Sequence, residues 1–102
     1  KAIDYISEHI SQDLSLDAIA SALFVDKYYF AHIFKEYTNT SPHRYILKKR
    51  LVLSKQFIEE GFPITEVFAK CGFSDYTHFF RAFKNEFGIT PKQFYASISL
   101  QP

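Results

Sequence analysis

Apolar residues recur along this chain at helical spacing almost from end to end. Between residues 27 and 38, Phe30, Ile33, Phe34 and Tyr37 fall at i, i+3, i+4 and i+7, the spacing that collects side chains on one face of an α-helix. Between residues 75 and 87, Phe79, Ala82, Phe83 and Phe87 repeat that rhythm, with Glu86 beside them. The stretch "PHRYILKKRLVLSKQFIEEG" carries Tyr45, Ile46, Leu51, Leu53, Phe57 and Ile58 before Gly61. It reads as one helix of roughly 18 residues, about 27 Å long at the usual rise. The pattern predicts seven helices, over 2–10, 16–23, 27–38, 42–60, 64–71, 75–87 and 91–97. No segment keeps the two-residue alternation of a half-buried strand. The expected fold class is all-α.

Start and stop signals agree with this division. Ser41-Pro42 and Thr90-Pro91 each set a hydroxyl at the N-cap and a proline at the first helical position, where its missing N–H is harmless. Asp26, and Ser74 or Asp75, can cap the helices that follow them. Asn39, Gly61 and Gly88 stand where helices end, a place that favours residues tolerant of the left-handed conformation.

The two halves also say nearly the same thing. A shift of 49 places sets Phe30 on Phe79, Phe34 on Phe83, Lys35 on Lys84, Asn39 on Gly88, Ser41 on Thr90, Pro42 on Pro91 and Tyr45 on Phe94. Repetition at a fixed offset is the mark of a duplicated structural unit. Each copy holds a helix, a short turn and a second helix: "LDAIASAL", "FVD", "KYYFAHIFKEY", then "ITEVFAKC", "GFSD", "YTHFFRAFKNEF". This is the helix-turn-helix format, in which the second helix lies in the DNA major groove. The expected organisation is a first helix-turn-helix subdomain at 1–41, a linker helix at 42–60 and a second subdomain at 61–102.

Composition narrows the function classes. Of the 102 residues, 47% are hydrophobic and 19% aromatic, with twelve Phe and seven Tyr, a folded composition whose Phe ladder belongs to the core. No apolar run approaches the ~20 residues that cross a bilayer, so a soluble, cytoplasmic protein is expected. A single cysteine, Cys71, has no disulfide partner and reads as a small buried hydrophobe. The four scattered histidines have no metal spacing. No paired carboxylates, activated nucleophile or glycine-rich phosphate loop is present, so no enzyme, cofactor or metal is expected. The chain begins at Lys1 and holds no Met, which suggests a domain excised from a longer protein.

Net charge is only +1, but its distribution is uneven. Residues 1–25 set Lys1 against Asp4, Glu8, Asp13 and Asp17, whereas residues 43–55 hold Arg44, Lys48, Lys49, Arg50 and Lys55 with no acid. Opposite the buried stripe, the third helix offers Lys27, Tyr28, Ala31, His32 and Lys35, and the sixth offers Tyr76, Thr77, Phe80, Arg81 and Lys84. The run Lys48-Lys49-Arg50 either meets phosphates or is the wet side of the fourth helix. Arg50 has a further structural option, an ion pair with Asp75 or a neighbour.

Taken with their order, "LSLDAIA", "YFAHIFKEYTNTSPHRYILKKRL" and "ITEVFAKCGFSDYTHFFRAFKNEFGITPKQFY" resemble the DNA-binding domain of the AraC/XylS family of bacterial transcription regulators. The resemblance covers residues 3–96, and "GFSDYTHFFRAFKNEFGITP" is its most specific part. It implies seven helices, two helix-turn-helix units, and two recognition helices in successive major grooves of double-stranded DNA. The family's base-reading positions fall on Tyr28, Ala31 and His32 in the first unit, and on Tyr76, Thr77, Phe80 and Arg81 in the second. A guanidinium such as Arg81 pairs bidentately with guanine O6 and N7, worth roughly 1–3 kcal/mol of discrimination. His32 offers a weaker readout, and Ala31 and Phe80 suit thymine methyls. Lys27, Lys35, Lys48, Lys49 and Lys84 suit phosphates, which position without specifying. RNA polymerase is a further partner such a regulator would contact, and any effector would act through a domain outside this chain.

Two residues depart from the family pattern. Phe24 stands where the first turn usually has glycine, so that turn is either wound differently or strained. Phe68 replaces an alanine, matching Ala20 of the first unit, where two helices cross closely; helices five and six should therefore sit wider apart, or rotated, relative to helices two and three. One competing reading is a helical module that binds a partner protein without reading DNA, and would bind with little salt sensitivity. A small helical enzyme is the other, and has no positive support.

Overall fold

Hydroxyl and carboxylate side chains cap the starts of most of the helices. A computed structural model, describing residues 1–12 and 14–99, contains α1 (Ala2–Glu8), α2 (Leu16–Ala22), α3 (Lys27–Thr38), α4 (Pro42–Glu59), α5 (Ile64–Lys70), α6 (Tyr76–Phe87) and α7 (Pro91–Ser99). No strand occurs among the described residues. Each helix lies within two residues of its predicted bounds. The chain forms two units, Lys1–Lys49 and Arg50–Pro102, which divide inside α4.

Asp26 accepts from the Tyr28 and Tyr29 N–H groups, both at 3.0 Å, at the head of α3. Asp75, rather than Ser74, caps α6 by accepting from the His78 N–H at 2.8 Å. Ser41 Oγ accepts from the Arg44 N–H at 3.2 Å. Thr90 and Gln93 form a reciprocal pair at α7: the Gln93 N–H donates to Thr90 Oγ1 at 3.0 Å, and the Thr90 N–H to Gln93 Oε1 at 2.9 Å. Each such cap satisfies backbone donors that the helix itself cannot. Asn39 and Gly88 end α3 and α6 in the left-handed region, at φ 62° and 80°.

In the first unit the core gathers Ile6, Leu14, Ile19, Phe30, Phe34 and Ile46. Phe34 stands edge-on to Tyr45 at 5.3 Å. Tyr37 does not join this core. It is 85% exposed, because the buried line of α3 runs Phe30, Phe34, Thr38, where the half-buried Thr38 hydroxyl donates to the Phe34 carbonyl at 2.7 Å. The stripe steps by four residues to the end of α3, and the phenol of Tyr37 stays outside.

The second unit is built on a run of rings. Phe73 meets Phe79 at 5.3 Å, Phe79 meets Phe83 at 5.7 Å, and Phe83 meets Phe87 at 4.7 Å and Phe94 at 6.0 Å. Ring pairs in tilted or edge-on geometry add to the apolar burial they accompany. Leu51, Ile58 and Val67 are buried in the same unit, and Lys55 lays its ammonium over Phe87 at 4.1 Å. Ser54, fully buried on α4, donates its hydroxyl to the Leu51 carbonyl at 2.6 Å.

The strain expected of Phe24 is present. Phe24 has φ 59°, yet its N–H donates to the Ser21 carbonyl at 3.2 Å and the Val25 N–H to the Ala20 carbonyl at 3.0 Å. These are the two hydrogen bonds of a Schellman turn. The turn is wound in the ordinary way, with phenylalanine in the glycine position.

Candidate nucleic-acid interface

The helices α3 and α6 are each the second of a helix-turn-helix pair, and capping fixes where their outward faces begin. On α3, Tyr28 is 73% exposed, His32 and Lys35 are exposed, and Ala31 is half-buried. Lys27 is drawn back instead: its ammonium lies 3.1 Å from the Asp17 carboxylate of α2 and 5.3 Å from the Tyr28 ring. The Asp17 hydrogen bond and charge raise the Lys27 pKa. His32 Nε2 stands 3.4 Å from Glu36 Oε2 one turn on. Lys48 and Lys49 are exposed on α4, with the Lys49 ammonium 5.5 Å from the Tyr45 ring.

On α6, Thr77, Arg81 and Lys84 are exposed at i, i+4 and i+7, one face of a helix. Tyr76 is 37% exposed. Phe80 is half-buried, its ring 6.2 Å from Tyr76. Phe68 of α5, half-buried, stands edge-on to Tyr76 at 6.0 Å, whereas Ala20 is buried.

Within each unit, therefore, the predicted base-reading residues share one helix face, with Lys35 or Lys84 a turn further along. Hydroxyl, imidazole, guanidinium, ammonium and exposed ring are the groups that contact base edges and phosphates. Cys71, the free thiol, is fully buried, donates to the Val67 carbonyl at 3.1 Å, and is pushed up to about 12 by burial. Such a thiol is not a nucleophile.

Sequence reasoning missed one feature of the first unit. An apolar cleft of about 880 Å³ opens beside α3, lined among others by Ile3, Phe24, Val25, Tyr29 and Tyr37. Its signal was legible: Tyr29 is an aromatic residue off the buried stripe, and Phe24 an aromatic residue in a turn.

Residues 19–97 match the family model described as a helix-turn-helix domain. Among curated proteins, the chain is 35% identical over 92 residues to the probable transcriptional regulator LumQ of Photobacterium leiognathi, covering 89% of this chain and 37% of that protein. Among solved structures, it resembles a transcriptional regulator from Chromobacterium violaceum described as AraC-type DNA-binding domain-containing, with TM-score 0.86, 30% identity, and coverage of 99% of this chain and 91% of that one. It also resembles the C-terminal domain of AraT, a response regulator from Geobacillus stearothermophilus, with TM-score 0.90, 28% identity, and coverage of 94% and 81%. The chain spans about a third of the length of the curated relatives it matches.

Proposed function

The chain belongs to the AraC/XylS family of helix-turn-helix transcription regulators, and from that premise we propose that it binds double-stranded DNA sequence-specifically to regulate bacterial transcription, in the cytoplasm. One observation carries this reading: the second helix of each helix-turn-helix pair bears an equivalent set of residues on one face, Tyr28, Ala31, His32 and Lys35 on α3 and Thr77, Phe80, Arg81 and Lys84 on α6. The family is one of regulators, not of enzymes.

In this reading α3 and α6 enter successive major grooves. Arg81 takes guanine through two parallel hydrogen bonds, and His32 contributes a single-point contact. Lys35, Lys84, Lys48 and Lys49 fix the register through phosphates. Lys27 contributes less to phosphate binding than its position suggests, because Asp17 already neutralises it.

Selection of random duplexes, with affinities read by fluorescence anisotropy, tests the proposal. The wild-type chain should select two clusters of preferred bases about one helical turn apart. Arg81→Ala should lose preference in one cluster and His32→Ala in the other. Unchanged selectivity in both variants would remove the assignment.

Contact with another protein, RNA polymerase among the possibilities, is supported as a second reading by the apolar cleft of the first unit, where Phe24 is 94% exposed. Contiguous exposed apolar surface of this kind marks interaction sites in soluble proteins.

A further inference from the structure

The second unit braces the head of its reading helix in a way that the first does not. Tyr76, the first residue of α6, touches three rings: Phe68 of α5 edge-on at 6.0 Å, the fully buried Phe79 at 6.0 Å, and Phe80 at 6.2 Å. At the matching place in the first unit, Lys27 heads α3 and is held by the Asp17 carboxylate of α2, while Ala20 occupies the position of Phe68. One brace is ionic and screened by salt; the other is apolar and indifferent to it.

Two of these rings, Tyr76 and Phe80, lie on the face that also carries Thr77 and Arg81. Phe80 has no donor or acceptor, so hydrogen-bonded base readout is closed to it. Among the four natural bases, the apolar group displayed in the major groove is the C5-methyl of thymine. An apolar wall there discriminates only in so far as it is held still, because ordering a loose ring on binding consumes the small gain of one methyl contact.

We infer that Phe68 is a positioning residue that acts through Tyr76: it holds the Tyr76–Phe80 wall in place, so that the second unit reads a thymine methyl beside the guanine taken by Arg81. The inference rests on the DNA-reading role proposed above and goes further, in assigning a specificity function to a residue of α5 that itself touches no DNA.

The experiment uses the duplex that the wild-type chain selects, with each thymine of the Arg81-dependent cluster replaced in turn by deoxyuridine. This removes the methyl and leaves base pairing intact. At one position the wild-type chain should lose about fourfold in affinity, the value of one buried methylene-sized group. Phe68→Ala should bring that loss below twofold while keeping the guanine preference set by Arg81, and Phe68→Tyr, which keeps the ring, should restore it. Should the alanine variant not fold, Phe68→Leu supplies apolar volume without a ring and should behave as alanine does. A deoxyuridine penalty equal in wild type and in the ring-less variants overturns the inference and leaves the DNA-reading role intact. So does a wild type indifferent to deoxyuridine throughout that cluster. Failure to select any duplex overturns the proposed function, and this inference with it.

Discussion

Phe24 and Gly72 occupy the same place in the two turns, at φ 59° and 99°, each donating its N–H to the residue three before it, at 3.2 and 3.1 Å. The next N–H bonds five residues back in both, Val25 to Ala20 and Phe73 to Phe68. The hydrogen bonds match, and the side chain is what sets the two apart in kind. A left-handed non-glycine residue costs about 1–2 kcal/mol, and glycine returns part of that through the freedom it gives the unfolded chain. Since the Phe24 side chain is almost wholly exposed, its removal forfeits little packing. Phe24→Gly should therefore stabilise the protein by roughly 0.5–1 kcal/mol, read as a higher urea midpoint at unchanged slope. A lower midpoint would mean that the ring contributes packing in solution.

Phosphate contacts make their own forecast. Lys35 and Lys84 sit one turn beyond the residues proposed to read bases and are exposed. Each alanine variant should weaken binding to specific and random duplexes alike, and lower the slope of log K against log salt by about one. A change confined to the preferred duplex would assign that lysine to base reading instead.

Cys71 gives the protein an alkaline weakness. Its thiol is raised from 9.0 to about 12 by burial, so above pH 9 the unfolded chain releases a proton that the folded chain retains. Stability from this group is whole below pH 9 and falls as pH rises toward 12, by up to about 1.4 kcal/mol per pH unit. Urea titrations between pH 8.5 and 10.5 should show that extra fall in the wild type and not in Cys71→Ala. In the native state below pH 9, iodoacetamide should leave the thiol unmodified until the protein is unfolded.

The carboxylate caps of α3 and α6 should be worth about 1 kcal/mol each. Asp26→Ala removes the acceptor of two backbone N–H groups and Asp75→Ala the acceptor of one, so the former should cost more. Thermal unfolding followed by circular dichroism orders the two, and Asn at either position should recover most of the loss.

Helix number, helix type and duplication were legible in the residues themselves, because their causes are local. Pro42 and Pro91 suit the first turn of a helix and not its interior, the hydroxyl before each marks the cap, Asn39 and Gly88 tolerate the left-handed ending, and the spacing of Phe79 and Phe83 leaves one face to bury. The outward faces of α3 and α6 follow from the same periodicity, which is why Tyr28, Thr77 and Arg81 could be placed on them in advance. Tertiary structure alone decided the rest. Tyr37 keeps step with a buried stripe but lies beyond the edge of the core; the charge of Lys27 is answered by an acid ten residues away; and Phe68 meets the ring of Tyr76 at the head of the next helix. Periodicity says which way a side chain points from its own helix, whereas what it meets there depends on the neighbouring helix, and that neighbour is set by packing across the whole unit.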